Sequence, residues 1–216
     1  MKTVYDAKIL GLPKIEDPRG NLSIIEQMKQ IPFEIKRTYW IYDVPGGKDR
    51  GGHAYKENEE FIVALSGSFD VELDDGKNKQ KFSLNRSYHG LYVPKGMWRT
   101  MTNFSTNSLA LVLSSTEYDE NDYIMDYEEF KRWTKDNTIQ TVSSDARTSV
   151  KVNELDSQGM LKEGKSVFDC SLCELNKMHD PEGNLTYMYE NVHVPFPINR
   201  VFYSYDIPGV GSRVWK

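Results

Sequence analysis

The sequence predicts an all-β domain of antiparallel strands, a sandwich or barrel, with one helix packed outside it. Three observations carry this expectation. Residues 1–115 divide into short alternating or β-prone runs, turn-forming clusters separate the runs, and no segment of helical period comes between them. The expected strands are, in order, residues 38–42 (TYWIY), 60–65 (EFIVAL), 68–73 (SFDVEL) and 108–113 (SLALVL). Pro45-Gly46-Gly47 and Asp74-Asp75-Gly76 mark turns. Asp-Asp-Gly between alternating runs is a hairpin signal, because Asp and Gly tolerate the left-handed backbone of tight turns. The single expected helix covers residues 120–135, where Tyr123, Ile124, Tyr127, Phe130 and Trp133 fall near a helical repeat. The acidic residues between Glu117 and Glu129 read as its solvated face. Residues 136–165 are polar and weakly periodic, which suits an exposed connector, with a short strand conceivable at 149–152.

Composition narrows the function classes. Lys and Arg number 27 against 32 Asp and Glu, a formal charge of −5, and no basic run is long enough to track a polyanion, so no nucleic-acid partner is expected. Hydrophobic residues make up 38% and aromatics 12%, enough for a packed core and too much for a disordered chain. No apolar run approaches the ~20 residues of a membrane helix, and the N-terminus lacks a signal peptide's apolar region; no membrane partner and a cytoplasmic location are expected. The two cysteines, Cys170 and Cys173, make no disulfide framework, and their spacing on an expected strand turns them to opposite faces.

At ~150 residues per domain, 216 residues make about one and a half domains. Internal similarity accounts for the half. Residues 4–50 lie over residues 167–213 at a constant offset of 163 without a gap, and 18 of the 47 positions are identical. Asp17-Pro18, Gly20-Asn21-Leu22, Pro32-Phe33, Arg37 and Tyr42-Asp43 recur as Asp180-Pro181, Gly183-Asn184-Leu185, Pro195-Phe196, Arg200 and Tyr205-Asp206. The expected organisation is therefore a β domain over residues 1–136, a linker over 137–165 and a truncated second repeat over 166–216. At the same offset the counterpart of His53 is Lys216, so one competent site per chain is expected.

The densest group of chemically able residues is Arg50-Gly51-Gly52-His53-Ala54-Tyr55-Lys56, followed by Glu60 and Gly67 and then by Pro94-Lys95-Gly96-Met97-Trp98-Arg99 and Asn103. The spacing is that of the two cupin motifs, with Tyr55 in place of the second His and Arg99 in place of the last one. The fold expected is thus a cupin, a double-stranded β-helix or jelly-roll barrel, with one peripheral C-terminal helix and a partial second cupin repeat. Only His53 and Glu60 remain of the usual four ligands, and Arg99 is a permanent cation that repels a divalent ion, so no metal and no cofactor are expected. His179 and His193 do not make a zinc-finger spacing, and His89 reads as a turn residue.

Taken together, these residues resemble the dTDP-4-keto-6-deoxyglucose 3,4-ketoisomerases, the metal-independent, WxcM-like cupins. The resemblance covers residues 1–135 and rests on Asp17-Pro18-Arg19-Gly20-Asn21-Leu22, residues 31–42, residues 50–56, Ser66-Gly67-Ser68 with Asp74-Asp75-Gly76, Gly90-Leu91-Tyr92-Val93-Pro94 with Trp98-Arg99, and residues 123–130. It implies transfer of a carbonyl between C4 and C3 of a dTDP-linked 4-keto-6-deoxy sugar through an enediolate, in deoxysugar biosynthesis for surface polysaccharide. It also implies a homodimer with exchanged N-terminal strands. His53 matches the catalytic base, and imidazole suits proton transfer near neutral pH. Arg19 and Tyr39 match positions near the sugar, and Tyr55 is a relay or a pocket wall. Arg50, Lys56, Glu60 and Arg99 are expected at the diphosphate or as pocket supports, and Trp98 as core, as aromatics in strands more often are, or as a stacking surface for thymine. Arg37 reads equally as a site cation or a strand-end ion pair. The alternatives are 3- or 5-epimerisation of a similar substrate, a non-catalytic sugar-nucleotide-binding cupin, and a metal-dependent cupin oxygenase. Residues 166–213 are expected to supply strands to the first barrel or to a neighbouring chain.

Overall fold

A computed structural model describes residues 2–140 and 174–208. The conceivable strand at 149–152, the two cysteines and most of the expected linker lie outside the described residues. The strands, in chain order, are β1 (Lys8–Gly11), β2 (Lys14–Ile15), β3 (Asn21–Glu26), β4 (Arg37–Tyr42), β5 (Arg50–Tyr55), β6 (Glu60–Ser66), β7 (Phe69–Asp74), β8 (Lys79–Leu84), β9 (His89–Val93), β10 (Trp98–Thr102), β11 (Leu109–Ser114), β12 (Tyr123–Ile124), β13 (Lys177–Met178), β14 (Asn184–Tyr189) and β15 (Arg200–Tyr205). The four strands expected from sequence are β4, β6, β7 and β11, each within a residue at either end. His89 opens β9 as its first residue and is not part of a free turn. Every pairing between strands is antiparallel.

The strands form a seven-stranded sheet in the order β1-β9-β6-β11-β4-β14-β13, a five-stranded sheet in the order β12-β5-β10-β7-β8, and a three-stranded sheet in the order β15-β3-β2. The first two close on an apolar interior that includes Tyr39, Ile41, Ile62, Val71, Leu73, Leu91, Met101 and Val112. Side chains alternate across a strand, so the intervening residues Phe61, Val63, Leu111 and Leu113 point out of the barrel. They are buried nevertheless, beneath the three-stranded sheet and its Ile25. Burial on both faces explains why β6 and β11 read as nearly unbroken apolar runs.

The helix α1 spans Tyr127–Gln140 and lies outside the five-stranded sheet, where Phe130, fully buried, packs with Ala54, Ile124 and Trp98. It starts seven residues later than its periodicity suggests and runs past the expected domain limit at 136. Asp126 ends the preceding segment by accepting the Glu129 amide at 2.7 Å, the contact of an N-cap. Ahead of it, Asp119 caps a 3-10 turn over Glu120–Asp122, and Tyr123 and Ile124 join β5 as a short strand. The acidic run is therefore two caps and a turn as much as a solvated helix face.

The C-terminal strands extend the first barrel's sheets. β14 lies on β4, with Asn184 opposite Tyr42 and Tyr189 opposite Arg37, and β15 lies on β3, with Arg200 opposite Glu26 and Tyr205 opposite Asn21. Of the two destinations expected for these strands, the described chain has the first.

Candidate active site

The cluster inside the barrel is set up by a bulge. Along the pairing of β5 with β10, Arg99 faces His53 but the next residue, Thr100, faces Gly51, so Gly52 is the extra residue. Gly51 and Gly52 have φ of +92° and +71°. A Cβ on Gly51 would stand 2.7 Å from the Arg99 carbonyl oxygen, so only glycine permits this approach. The Arg-Gly-Gly-His sequence is thus what carries His53 inward beside Arg99.

His53 Nε2 lies 3.1 Å from Arg99 Nη2. Guanidinium only donates, so Nε2 accepts, and the ring proton sits on Nδ1, facing the Gly51 carbonyl. Arg99 Nε approaches Glu60 Oε2 at 2.8 Å with both side chains almost fully buried, and the Tyr39 hydroxyl donates to Glu60 Oε1 at 2.6 Å. The ion pair is close but its N–H is not aimed at the oxygen, and Arg99 Nη1 has no hydrogen-bond partner among the described residues. A buried cation with a spare donor is suited to a developing oxyanion. Tyr55 and Tyr123 enclose the imidazole at ring distances of 4.9 and 5.1 Å, and the Tyr55 hydroxyl donates to the Tyr123 hydroxyl at 3.2 Å. Arg37 is a second buried cation, 5.4 Å from the Tyr39 ring.

Burial, and next the Arg99 cation, push the His53 pKa from 6.5 down to about 3. Burial and the Glu60 carboxylate raise the Tyr39 phenol. His53 is therefore neutral at physiological pH. Below about pH 6.5 the unfolded chain binds a proton that the folded barrel refuses. This part of the stability is complete above that pH and is lost, by ~1.4 kcal/mol per pH unit, as pH falls toward the folded value. Denaturant titrations of the protein and of His53→Gln from neutrality to about pH 5, above the ordinary carboxylate range, should show this slope in the difference between them. Parallel curves would refute the assignment.

The barrel brings together His53, Tyr39, Tyr55, Glu60 and Arg99. The other expected site residues fall elsewhere. Arg19 sits on the β2–β3 turn, exposed and ion-paired with Asp17 at 2.8 Å, in the three-stranded sheet that holds none of the other candidates. Lys56 reaches outward to the Asn121 carbonyl at 2.7 Å and ties β5 to the Glu120–Asp122 turn. Trp98 adjoins Arg99 on β10, and alternation sends it to the outer face against Tyr127 and Phe130, so it is core beneath α1 and not a nucleobase platform in the barrel. It borders a groove of about 420 Å³ between β7, β8 and α1 that lies outside the barrel and holds no other candidate. Arg50 stands at the rim, 3.5 Å from Asp180. Sequence reasoning missed Tyr123, hidden in a segment of helical period, and Tyr189, which faces Arg37 from β14.

A cupin commonly holds a metal between its motifs. Here Arg99 occupies the space between His53 and Glu60, and no group of three or more His, Cys, Asp or Glu among the described residues could hold an ion, so this donor set does not fit one. The class is thus a cupin barrel with a cation-centred interior. The family profile "WxcM-like, C-terminal" (FdtA) matches residues 5–135 and again residues 168–214, and the chain belongs to this family. It is 45% identical over 126 residues to a TDP-4-oxo-6-deoxy-α-D-glucose-3,4-oxoisomerase from Aneurinibacillus thermoaerophilus, with 58% of this chain and 91% of the relative covered. A solved 3,4-ketoisomerase from Helicobacter canadensis is 47% identical with a TM-score of 0.59, over 60% of this chain and 98% of that one. A His→Asn variant of a 3,4-ketoisomerase from Thermoanaerobacterium thermosaccharolyticum, solved with TDP-4-keto-6-deoxyglucose, is 32% identical with a TM-score of 0.60, over 64% and 99% of the two chains. The barrel matches these proteins almost end to end, and the remainder of this chain extends beyond them.

Proposed function

We propose that the protein is an isomerase, a sugar-nucleotide 3,4-ketoisomerase that converts dTDP-4-keto-6-deoxyglucose to a dTDP-3-keto-6-deoxyhexose. The observation that carries the reading is the buried, neutral His53 facing a cation with a spare donor. The C3 proton is acidic because it is α to the C4 ketone. When the substrate oxygen draws Arg99 Nη2 off His53 Nε2, the freed Nε2 takes that proton, the C3–H electron pair becomes a C3–C4 double bond, and charge develops on the C4 oxygen. Arg99 Nη1 stabilises that oxyanion, as fixed donors in a water-excluded site do. The O3 proton then passes to O4 by way of the Tyr55 and Tyr123 hydroxyls. The enediolate takes a proton from His53 at C4, and C3 becomes the carbonyl. Glu60 touches Arg99 and Tyr39 and acts as a positioning residue, and Arg50 at the rim meets the diphosphate.

Family membership and the names of the relatives support this reading over epimerisation. Incubation with dTDP-4-keto-6-deoxyglucose in deuterated water tests it. A 3-keto product carrying deuterium at C4 is expected. A retained 4-ketone with inverted configuration at C3 or C5 would instead establish an epimerase, and recovery of unlabelled, unchanged substrate a binding protein.

No helix among the described residues is long and apolar enough to cross a membrane.

A further inference from the structure

The two C-terminal pairings are images of each other. Residues 184–189 are the counterparts of 21–26 and residues 200–205 of 37–42, at the offset of 163. β14 meets β4 in the register in which β3 meets β15, position for position: the counterpart of 21 faces 42, and 21 faces the counterpart of 42. Side chains repeat the relation. Asn21 donates to Asp206 at 3.0 Å and Asn184 to Asp43 at 2.9 Å, and Ser23 meets Tyr205 as Thr186 meets Tyr42. Gly20 at φ +120° lies against Ile207 as Gly183 at φ +125° lies against Val44. Such reciprocity, i on j and j on i, is the mark of an isologous two-fold interface between copies. Here both halves belong to one chain.

The contacts that break the symmetry favour the chain's own segment over a second copy. Lys36 holds Glu190 at 3.0 Å, while the mirrored positions are an amide pair, Gln27 and Asn199, at 2.9 Å. Two copies of the barrel would set Lys36 against Gln27 on both sides. Lys48 lies 3.6 Å from Glu182, the counterpart of Arg19. A second copy would bring Arg19 there and oppose two cations.

We infer that residues 176–207 occupy the seat of a second copy of this chain, so that the protein is a single-chain two-fold assembly in which the rim of the His53 site receives Asp180 and Tyr189 from the C-terminal segment. This goes beyond the reaction proposed above and does not depend on it, because the test reads mass and not turnover. In sedimentation velocity across the micromolar range, the full chain should run as one species at 25.0 kDa. Glu190→Lys sets like charges against Lys36 and should vacate the seat, giving a dimer of twice that mass, and Lys36→Glu with Glu190→Lys should restore the monomer. Gly183→Val, whose side chain would meet the Val44 backbone at 3.1 Å, should also give the dimer. A dimeric parent protein overturns the inference. So does Glu190→Lys remaining monomeric with an unchanged circular dichroism spectrum.

Discussion

His53→Asn should lower the isomerisation rate by ~10²–10⁴-fold, the range supplied by a positioned general base, and should abolish exchange of the C3 proton in deuterated water. The asparagine amide takes the place of Nδ1, which faces the Gly51 carbonyl, and stops short of Nε2, which lies 3.1 Å from Arg99 Nη2. Without a group that can take a proton, the C3–H bond holds. Calorimetric binding of thymidine diphosphate should be unchanged within about threefold, because the rim cation Arg50 and the buried Arg37 are untouched. Exchange that survives in His53→Asn would move the base elsewhere, and the Tyr55 phenol is the next candidate. That phenol is a poor base at rest, because burial, then the Glu60 charge, holds its pKa well above the ordinary value. Tyr55→Phe is therefore expected to slow turnover while leaving the C3 exchange intact.

The fold was legible where local chemistry is decisive. The apolar run in residues 60–65, the alternation in residues 68–73 and the Asp74-Asp75-Gly76 hairpin lead directly to β6, β7 and the turn that follows it. The spacing from Arg50 through Glu60 to Arg99 marks these residues as one site, with Arg50 and Arg99 on the neighbouring strands β5 and β10 and Glu60 on β6 in the facing sheet. Other parts depend on what lies across the barrel. Tyr123 sits at a helical interval from Tyr127, and only Asp126 with Glu129, a cap legible in sequence, tells that the helix begins after it. The place of Trp98 as core beneath α1 follows from alternation with an inward Arg99. Arg19 is different in kind. Its surroundings depend on which strand pairs with β3, and that is decided by residues 200–205, far away in the chain. Tyr189 was out of reach for the same reason, since nothing in residues 184–189 announces that they will lie on β4.

Glu60→Leu should destabilise the protein by about 3–5 kcal/mol, the cost of leaving a buried charge without its partner. For a chain of this size that is a fall of roughly 10 °C in the unfolding midpoint. Arg99 is 3% exposed in its side chain and has no other carboxylate among its ion pairs, so the guanidinium it leaves behind cannot reach water without opening the barrel. Arg99→Leu should cost a similar amount by stranding Glu60. Activity should vanish in both, but loss of activity in an unstable variant says little about chemistry. The double variant Glu60→Leu with Arg99→Leu separates the two effects. Replacing a whole buried ion pair by apolar groups is often neutral or better, so stability should return to within about 1 kcal/mol of the parent. Isomerisation should stay absent, because the oxyanion has lost its cation. His53 would also regain basicity once the neighbouring positive charge is gone, so the stability difference between the double variant and its His53→Gln derivative should level off at a higher pH than that of the parent pair. A double variant that recovers activity together with stability would show that Arg99 only holds the barrel closed. One that stays as unstable as the single variants would show that the pair stabilises the fold beyond its own compensation.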